Sequence, residues 1–424
     1  MYKKTVLKNG IRVAAHFMRE RESVALGIWA KVGGRYEDDQ IKGSAHYLEH
    51  ILFKGSKKYS CNHIKEQIEG VGGTLNAFTS EELTCYYAKI PSKHIIRTFD
   101  ILSDMVFHPL LAKKDVDKER GVILEEIKMY QDLPQFLVVD HLEKMLWPDH
   151  PLGKNLAGTQ ESVSNISFQN LRDFYKSHYT PRNIVVSACG NIYHKKFETL
   201  VQRKLTKGAK GKENCFLKAQ DSQASPRVNF FRKKIEQMHL ALGMIGLDSA
   251  HKDRYVLGLL NVILGGNMSS RLFNEVREKR GLAYSIGSSV KMLKDTGAFV
   301  IRAGVDNRKI VKAVDVILKE LEKIKKNGVP QGEFNRAKDY FIGQTTLGLE
   351  DTMEHMIWIG ESIISHNRFR TLKEVMEGVH KITPGDIRRI ARQILNEAKY
   401  NLAIVGPITG TQEKELCRLL GVKS

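Results

Sequence analysis

The chain has 424 residues, 42% of them hydrophobic, and 67 Lys and Arg against 48 Asp and Glu give a formal net charge of +19. The length predicts at least two domains with enough apolar material for large cores, and no apolar run of about 18 residues occurs, so no membrane insertion is expected. Five scattered cysteines without Cys-x-x-Cys spacing argue against a disulfide framework and fit a reducing compartment. The lysines fall in short dispersed groups (Lys57-Lys58, Lys113-Lys114, Lys325-Lys326) with no aromatic-interleaved stripe, so no nucleic-acid partner is expected despite the charge.

The chain starts with strand-like alternation around an Asn-Gly turn, without an apolar signal core or an Arg/Ser-rich presequence. Residues 24–32 read as a strand. Residues 43–53 read as a helix with Ala45, Leu48, Ile51 and Leu52 apolar, and 59–69 as a helix marked by Ile64 and Ile68. Residues 74–90 read as a hairpin rich in Thr, Tyr and Phe. Helices follow at 95–106, 114–131 and 168–177, then a strand at 183–188. Strands followed by long helices give an α+β class, with sheets packed under helices.

A polar stretch with Lys, Gly and Ser reads as a linker at 207–226, dividing the chain into 1–206 and 227–424. The two parts resemble each other. Val24-Ala-Leu-Gly-Ile matches Leu240-Ala-Leu-Gly-Met. Gly72-Gly-Thr-Leu-Asn-Ala-Phe-Thr-Ser answers Arg280-Gly-Leu-Ala-Tyr-Ser-Ile-Gly-Ser, and Arg182-Asn-Ile-Val-Val parallels Tyr400-Asn-Leu-Ala-Ile. The nearly constant offset points to duplication.

The chemistry is concentrated in His46-Tyr47-Leu48-Glu49-His50. On a helix, positions four apart lie one above the other, so both imidazoles can reach one metal ion. Glu49 points into the same space without having to bind the metal. A carboxylate base then stands beside the water that such an ion activates, with the acid inverted relative to the His-Glu-x-x-His order. The second half has Gly258-Leu-Leu-Asn-Val262 at the corresponding place, so the duplication is chemically asymmetric.

A catalytic zinc takes three protein ligands and keeps one position open. Glu119-Arg-Gly-Val-Ile-Leu-Glu125-Glu126-Ile reads as a helix with Val122, Ile123 and Ile127 to one side. Glu119 and Glu126 are two turns apart and share a face to within about 20°. Spacing alone does not choose among Glu119, Glu125 and Glu126.

His46-x-x-Glu49-His50, followed 76 residues later by the glutamate in Glu-Arg-Gly-Val-Ile-Leu-Glu-Glu-Ile, resembles the pitrilysin-type inverzincins. The similarity is to the branch holding the mitochondrial processing peptidase β-subunit and its bacterial relatives. Further matches are Glu49-His-Ile-Leu-Phe-Lys-Gly-Ser, Gly72-Gly-Thr-Leu-Asn-Ala-Phe-Thr-Ser, His150-Pro-Leu-Gly, Tyr179-Thr-Pro-Arg-Asn, Gly265-Gly-Asn-Met-Ser-Ser-Arg-Leu-Phe and Gly281-Leu-Ala-Tyr-Ser. The resemblance implies Zn2+ held by His46, His50 and Glu126. It gives Glu49 as general base, Glu119 as its supporting acid, and Asn76, Ala77 and Glu82 as substrate-binding. Arg271 and Tyr284 of the second half are implied to touch the substrate backbone. The fold it implies is two homologous α+β halves, each a mixed sheet covered by helices, arranged as a clamshell around a chamber.

The expected activity is a zinc metalloendopeptidase acting on peptides or unfolded segments. The expected partner is a second copy in a homodimer, with a heterodimer with a noncatalytic homologue as the alternative. The expected location is the bacterial cytoplasm, with the mitochondrial matrix as the alternative. A noncatalytic scaffold of the same fold is disfavoured because His46, Glu49, His50 and Glu126 are all present.

Overall fold

The computed structural model describes residues 2–205 and 209–422. Among them are eleven strands: β1 Tyr2–Val6, β2 Arg12–Phe17, β3 Ser23–Ala30, β4 Thr74–Thr79, β5 Thr84–Pro91, β6 Ile184–Gly190, β7 Arg227–Arg232, β8 Gln237–Ile245, β9 Ala283–Met292, β10 Gly297–Asp306 and β11 Asn401–Gly406. The first six form one sheet in the order β1-β2-β6-β3-β5-β4. The last five form another in the order β7-β11-β8-β10-β9. Each sheet is antiparallel apart from one parallel pair, β2 with β6 and β7 with β11.

The two orders superimpose as β2 on β7, β6 on β11, β3 on β8, β5 on β10 and β4 on β9. Those strands carry the paired stretches found in the sequence, so the α+β class and the duplication hold at the level of sheets. Helices lie where the periodicity placed them: Ser44–Leu52, Cys61–Glu69, Ile95–Phe107, Lys113–Asp132 and Phe168–His178. The predicted linker is irregular from 209 to 226, and its positions 207 and 208 lie outside the described residues.

The compact units differ from the contiguous halves 1–206 and 227–424. One consists of Met1–Ile127, Asn155–Leu217 and Thr346–Thr371, and the other of Lys128–Lys154, Lys218–Thr345 and Leu372–Ser424. Each sheet stays with its own half, but each half gives a helix to the other unit. Sequence contiguity alone carries no sign of such an exchange.

In the first unit, successive residues of β3 face opposite cores, as the period of two demands. Val24, Leu26 and Ile28 pack with Ile51, Ile64, Phe99 and Leu102. Ala25 and Trp29 pack with Cys85, Val185 and the exchanged helix Thr352–His366, through Met356, Ile359 and Ile363. A strand buried on both faces reads as a continuous apolar run, which is what 24–30 shows. The helix sits close because two glycines let it. A Cβ on Gly360 would lie 2.1 Å from Trp29 Cε2, and one on Gly27 2.5 Å from Met356 Sδ.

The second unit repeats the device. The exchanged helix Pro134–Leu146 lays Val138, Leu142 and Leu146 against Ala241, Ala403 and Val405. Burying Leu142 fully is worth about 1.5–3 kcal/mol. Gly243 makes room for it, since a Cβ there would lie 2.7 Å from Leu142 Cδ2. Gly27 and Gly243 are the glycines of the matched Ala-Leu-Gly stretches, so the duplication preserved the seat of an exchanged helix.

Candidate metal centre

The helix Ser44–Leu52 buries Ala45, Tyr47, Leu48, Ile51 and Leu52, which leaves His46, Glu49 and His50 on its other side. Its start is fixed by a buried carboxylate. Glu37 Oε2 accepts from Gly43 N at 2.9 Å and Glu37 Oε1 from Ala45 N at 2.6 Å, satisfying amides that a helix N-terminus leaves without partners. Gly43 takes a left-handed conformation, φ 101°, and a Cβ there would meet Ala157 O at 2.6 Å.

The helix Lys113–Asp132 is set against it by Val116, Ile123 and Ile127 and by the Tyr47 hydroxyl, which donates to Val116 O at 2.6 Å. Arg120 anchors the helix further, donating to Val163 O and Ile166 O at 2.5 and 2.8 Å. This packing brings Glu126 to the histidines. Its Oε2 lies 3.8 Å from His46 Nε2 and 3.4 Å from His50 Nε2. Glu125, one residue earlier, is exposed, and it is the Glu126 carboxylate that lies beside the histidines. Glu119 sits two turns back, with Oε1 3.0 Å from His50 Nδ1 and Oε2 2.6 Å from Lys54 Nζ.

Two imidazole nitrogens and a carboxylate oxygen, all within 4.8 Å of one another, are a donor set suited to a divalent ion of borderline softness. Ligands bound tetrahedrally at about 2.0–2.1 Å stand about 3.3 Å apart, and the Glu126 separations from His50 and His46, 3.4 and 3.8 Å, are near that edge. His50 meets a carboxylate at its second nitrogen, the arrangement that orients a ligating imidazole.

The electrostatics fit the same division of labour. Burial, with the neighbouring His50, lowers the His46 pKa to about 4, so its lone pair is available at neutral pH. Burial pulls His50 down, but the Glu119 hydrogen bond and the charges of Glu126, Glu119 and Glu49 together raise it. Burial would raise Glu119, yet its bonds to His50 and Lys54 hold it below the ordinary value. Burial raises Glu49 against the lowering pull of Thr79 and His50, and Glu126 adds to the rise, so this carboxylate is the better proton acceptor.

Glu49 stands outside the ligand set and is held from another element. The hydroxyl of Thr79 on β4 donates to Glu49 Oε2 at 2.5 Å. Asn76 and Ala77 lie on the same strand, and β4 ends its sheet, so its outer edge has no neighbouring strand among the described residues. Asn76 Oδ1 accepts from Ala77 N at 2.8 Å, which satisfies one amide of that edge locally. Glu82 has a partner within the chain. Its Oε1 accepts from Arg35 Nη1 at 2.6 Å, and the fully buried Arg35 side chain also donates to Leu217 O at 2.9 Å and lies over the Phe216 ring. That pair anchors the linker.

The two second-half residues have different neighbours. Arg271 is held by Glu333 in a two-pronged pair at 2.8 and 2.7 Å and donates to Gly328 O. Tyr284 is 76% exposed. Ser285 pairs with Gly304 while Ala283 pairs with Val305, so Tyr284 is the extra residue of a β-bulge, a device that re-aims a side chain. The cation beside it is Arg277, whose guanidinium lies 5.7 Å from the Tyr284 ring centre, on a stretch of π-helix, Phe273–Glu278. Arg271 has its partner in Glu333 instead. Sequence reasoning also missed Thr79 and Lys54. The available signal for Arg277 was its short spacing to Tyr284. For Thr79 there was none without knowing that β4 lies beside the helix.

Comparison with known proteins gives consistent matches. The family model described as insulinase (peptidase family M16) matches residues 12–160, and that described as peptidase M16 inactive domain matches 165–341. An uncharacterized zinc protease of Streptomyces coelicolor is 37% identical over 98% of this chain and 91% of its own length. One of Bacillus subtilis is 35% identical over 96% and 98%. A protease from Helicobacter pylori of known crystal structure has a likeness of fold at TM-score 0.91, with 23% identity over 96% of this chain and 99% of that one.

Proposed function

We propose, since the chain belongs to the insulinase family of peptidases (M16), that it is a zinc-dependent endopeptidase hydrolysing peptides or unfolded segments. The observation that carries this reading is the convergence of His46, His50 and Glu126 with Glu49 beside them but outside the donor set. His46, His50 and Glu126 would hold the zinc, as relatives named zinc proteases suggest. When bound, zinc supplies a Lewis acid that polarises the scissile carbonyl and makes water acidic enough to lose a proton near neutral pH.

The chain's own groups do the rest. Glu49 takes the proton from the attacking water and delivers it to the leaving amine. Thr79 keeps the carboxylate facing the reacting water. Glu119 fixes the ring of His50. The edge of β4 receives an extended peptide as an added strand, with Asn76 releasing Ala77 N to the substrate. Arg277 and Tyr284 are a guanidinium and a hydroxyl suited to substrate carbonyl oxygens and to developing negative charge. The protein acts in the bacterial cytoplasm as a homodimer, and light scattering separates that assembly from a chain awaiting an unlike partner.

Metal analysis combined with cleavage of a quenched peptide library, before and after chelation, tests the reading. One zinc per chain and cleavage lost to chelator and restored by zinc are expected. Glu49→Gln should keep the metal and lose the cleavage. Zinc-loaded protein that cleaves nothing in the library, or a Glu49→Gln variant at normal turnover, would overturn it.

A further inference from the structure

In the second unit, the sheet face under helix Pro134–Leu146 is apolar at Ala241, Val300 and Ala403 and then changes character. Beside the first turn of that helix lies a cavity of about 330 Å3, walled by Phe136 and Val138 and, from three adjacent strands, by His239, Ser285 and Arg302. The strand register fixes these places. Gly304 stands between His239 on β8 and Ser285 on β9. Arg302, two residues earlier on the same face, stands between Ala241 and Gly287. Opposed residues in such pairs are about 5 Å apart and same-face neighbours along a strand about 7 Å.

An imidazole and a hydroxyl therefore flank one position that has no side chain, and Arg302, two residues along the same strand face, lines the same cavity. A Cβ built on Gly304 would lie 3.2 Å from Ser285 Oγ, 3.4 Å from Gln237 Oε1 and 3.6 Å from His239 Cε1. These groups lean over the glycine, and the glycine keeps the space between them open.

The charge is unbalanced. From Gly297 to Val305, Arg302 is the exposed residue in an otherwise buried run. It has no ion-pair partner among the described residues, and no carboxylate lines the cavity. Burial holds the His239 imidazole below its ordinary pKa, so at neutral pH the positive charge of the cavity is that of Arg302. A guanidinium offers a planar fork of donors that matches a carboxylate in two-pronged fashion, and a nearby hydroxyl adds a third donor.

We propose that this cavity binds a carboxylate of a peptide ligand, engaged by Arg302 with Ser285 and His239 at its sides. The carboxylate is either a free C-terminus or an Asp or Glu side chain. The inference rests on the peptidase reading only in taking the ligand to be a peptide.

The test is a binding titration on full-length Glu49→Gln protein treated with chelator, so that no cleavage is read. Three fluorescein-labelled versions of one short peptide serve as probes: a free C-terminus with neutral side chains, an amidated C-terminus with one Glu, and an amidated C-terminus with Gln in its place. At least one carboxylate-bearing peptide should bind more tightly than the amidated Gln peptide, and which one does so identifies the source. Arg302→Met should remove that advantage, a loss of about tenfold or more for a charge-assisted contact. Arg302→Lys should recover part of it. Gly304→Val should remove it by filling the floor without touching the charge, which covers the case of a poorly folded Arg302 variant. Equal binding of all three peptides, no binding of any, or an advantage that survives both Arg302→Met and Gly304→Val overturns the proposal. Because hydrolysis is not measured, failure of the pocket and failure of the zinc peptidase reading give different results.

Discussion

Thr79 Oγ1 donates a 2.5 Å hydrogen bond to Glu49 Oε2, tying the edge strand to the carboxylate beside the histidines. Behind it, Thr84 Oγ1 donates to Val32 O at 2.9 Å and lies 3.4 Å from Thr79 Oγ1, so the hydroxyl is itself positioned. A hydrogen bond to a charged group contributes about 1.5–3 kcal/mol, or about tenfold to a hundredfold in rate if it serves the reacting state. Thr79→Val should lower kcat by that factor with zinc content and KM little changed, and Thr79→Ser should restore most of it. An unchanged kcat in Thr79→Val, or loss of the metal with it, would remove Thr79 from the positioning of Glu49.

Glu119 Oε1 meets His50 Nδ1, so it would act on a bound metal at one remove. Without this acceptor the ring loses its fixed orientation and part of its basicity. Loss of such a partner costs about 10- to 100-fold in metal affinity. Glu119→Gln should therefore bind zinc more weakly by about that factor, while Glu126→Ala, which removes a donor atom, should lose more. Competition against a chelating indicator measures both. Equal zinc affinity in Glu119→Gln and the parent protein would reduce Glu119 to an ion pair with Lys54.

The legible parts of this site were those governed by helix geometry. His46, Glu49 and His50 could be placed because spacing on a helix fixes a face, and the packing of Ser44–Leu52 observes it. Glu126 could not be separated from Glu125 by spacing, because the choice depends on which face of Lys113–Asp132 meets the first helix. Thr79 depends on a contact between elements far apart in sequence. Arg277 depends on a π-helical turn and a bulge, both of which break the regular periods on which a sequence reading relies. The sheets were legible through their duplicated strands. The exchanged helices were not, since an amphipathic helix shows that it has a partner face but not whose it is.

That exchange gives a stability prediction. Gly360 on Thr352–His366 lies where a Cβ would come within 2.1 Å of the Trp29 ring, and Trp29 is fixed by its Nε1 donating to Ser187 Oγ at 2.8 Å. Neither side has room to move. Gly360→Ala would normally favour a helix, by about 1 kcal/mol on propensity. Overpacking of this kind costs about 1–3 kcal/mol, so the net effect should be a lower melting temperature. Gly348, on the helix before it, has nothing within 4 Å of a built Cβ, and Gly348→Ala is the control that should not lower it. A Gly360→Ala protein as stable as the parent would mean that the helix seat is looser than the contact implies.

Acid should loosen the first unit through a cluster away from the metal centre. His16 and His355 stack at 4.5 Å between ring centres, with Tyr2 4.4 Å from His16. The Tyr2 hydroxyl meets His355 Nε2 at 2.7 Å, while His355 Nδ1 donates to Leu349 O at 2.9 Å, so this ring is held neutral. Burial, and then the neighbouring His355, lowers His16 to about 4, and burial lowers His355. In the unfolded chain both imidazoles titrate near 6.5. Between those values the unfolded state binds more protons than the folded one, so stability rises with pH. It is fully present above about pH 6.5 and is lost progressively as the pH falls toward 4. Urea unfolding across that window should show the midpoint falling with acidity, and His16→Phe, which keeps the ring and removes the proton site, should flatten the slope. A midpoint that falls equally in the parent and in His16→Phe would assign the acid sensitivity to other groups, His46 among them.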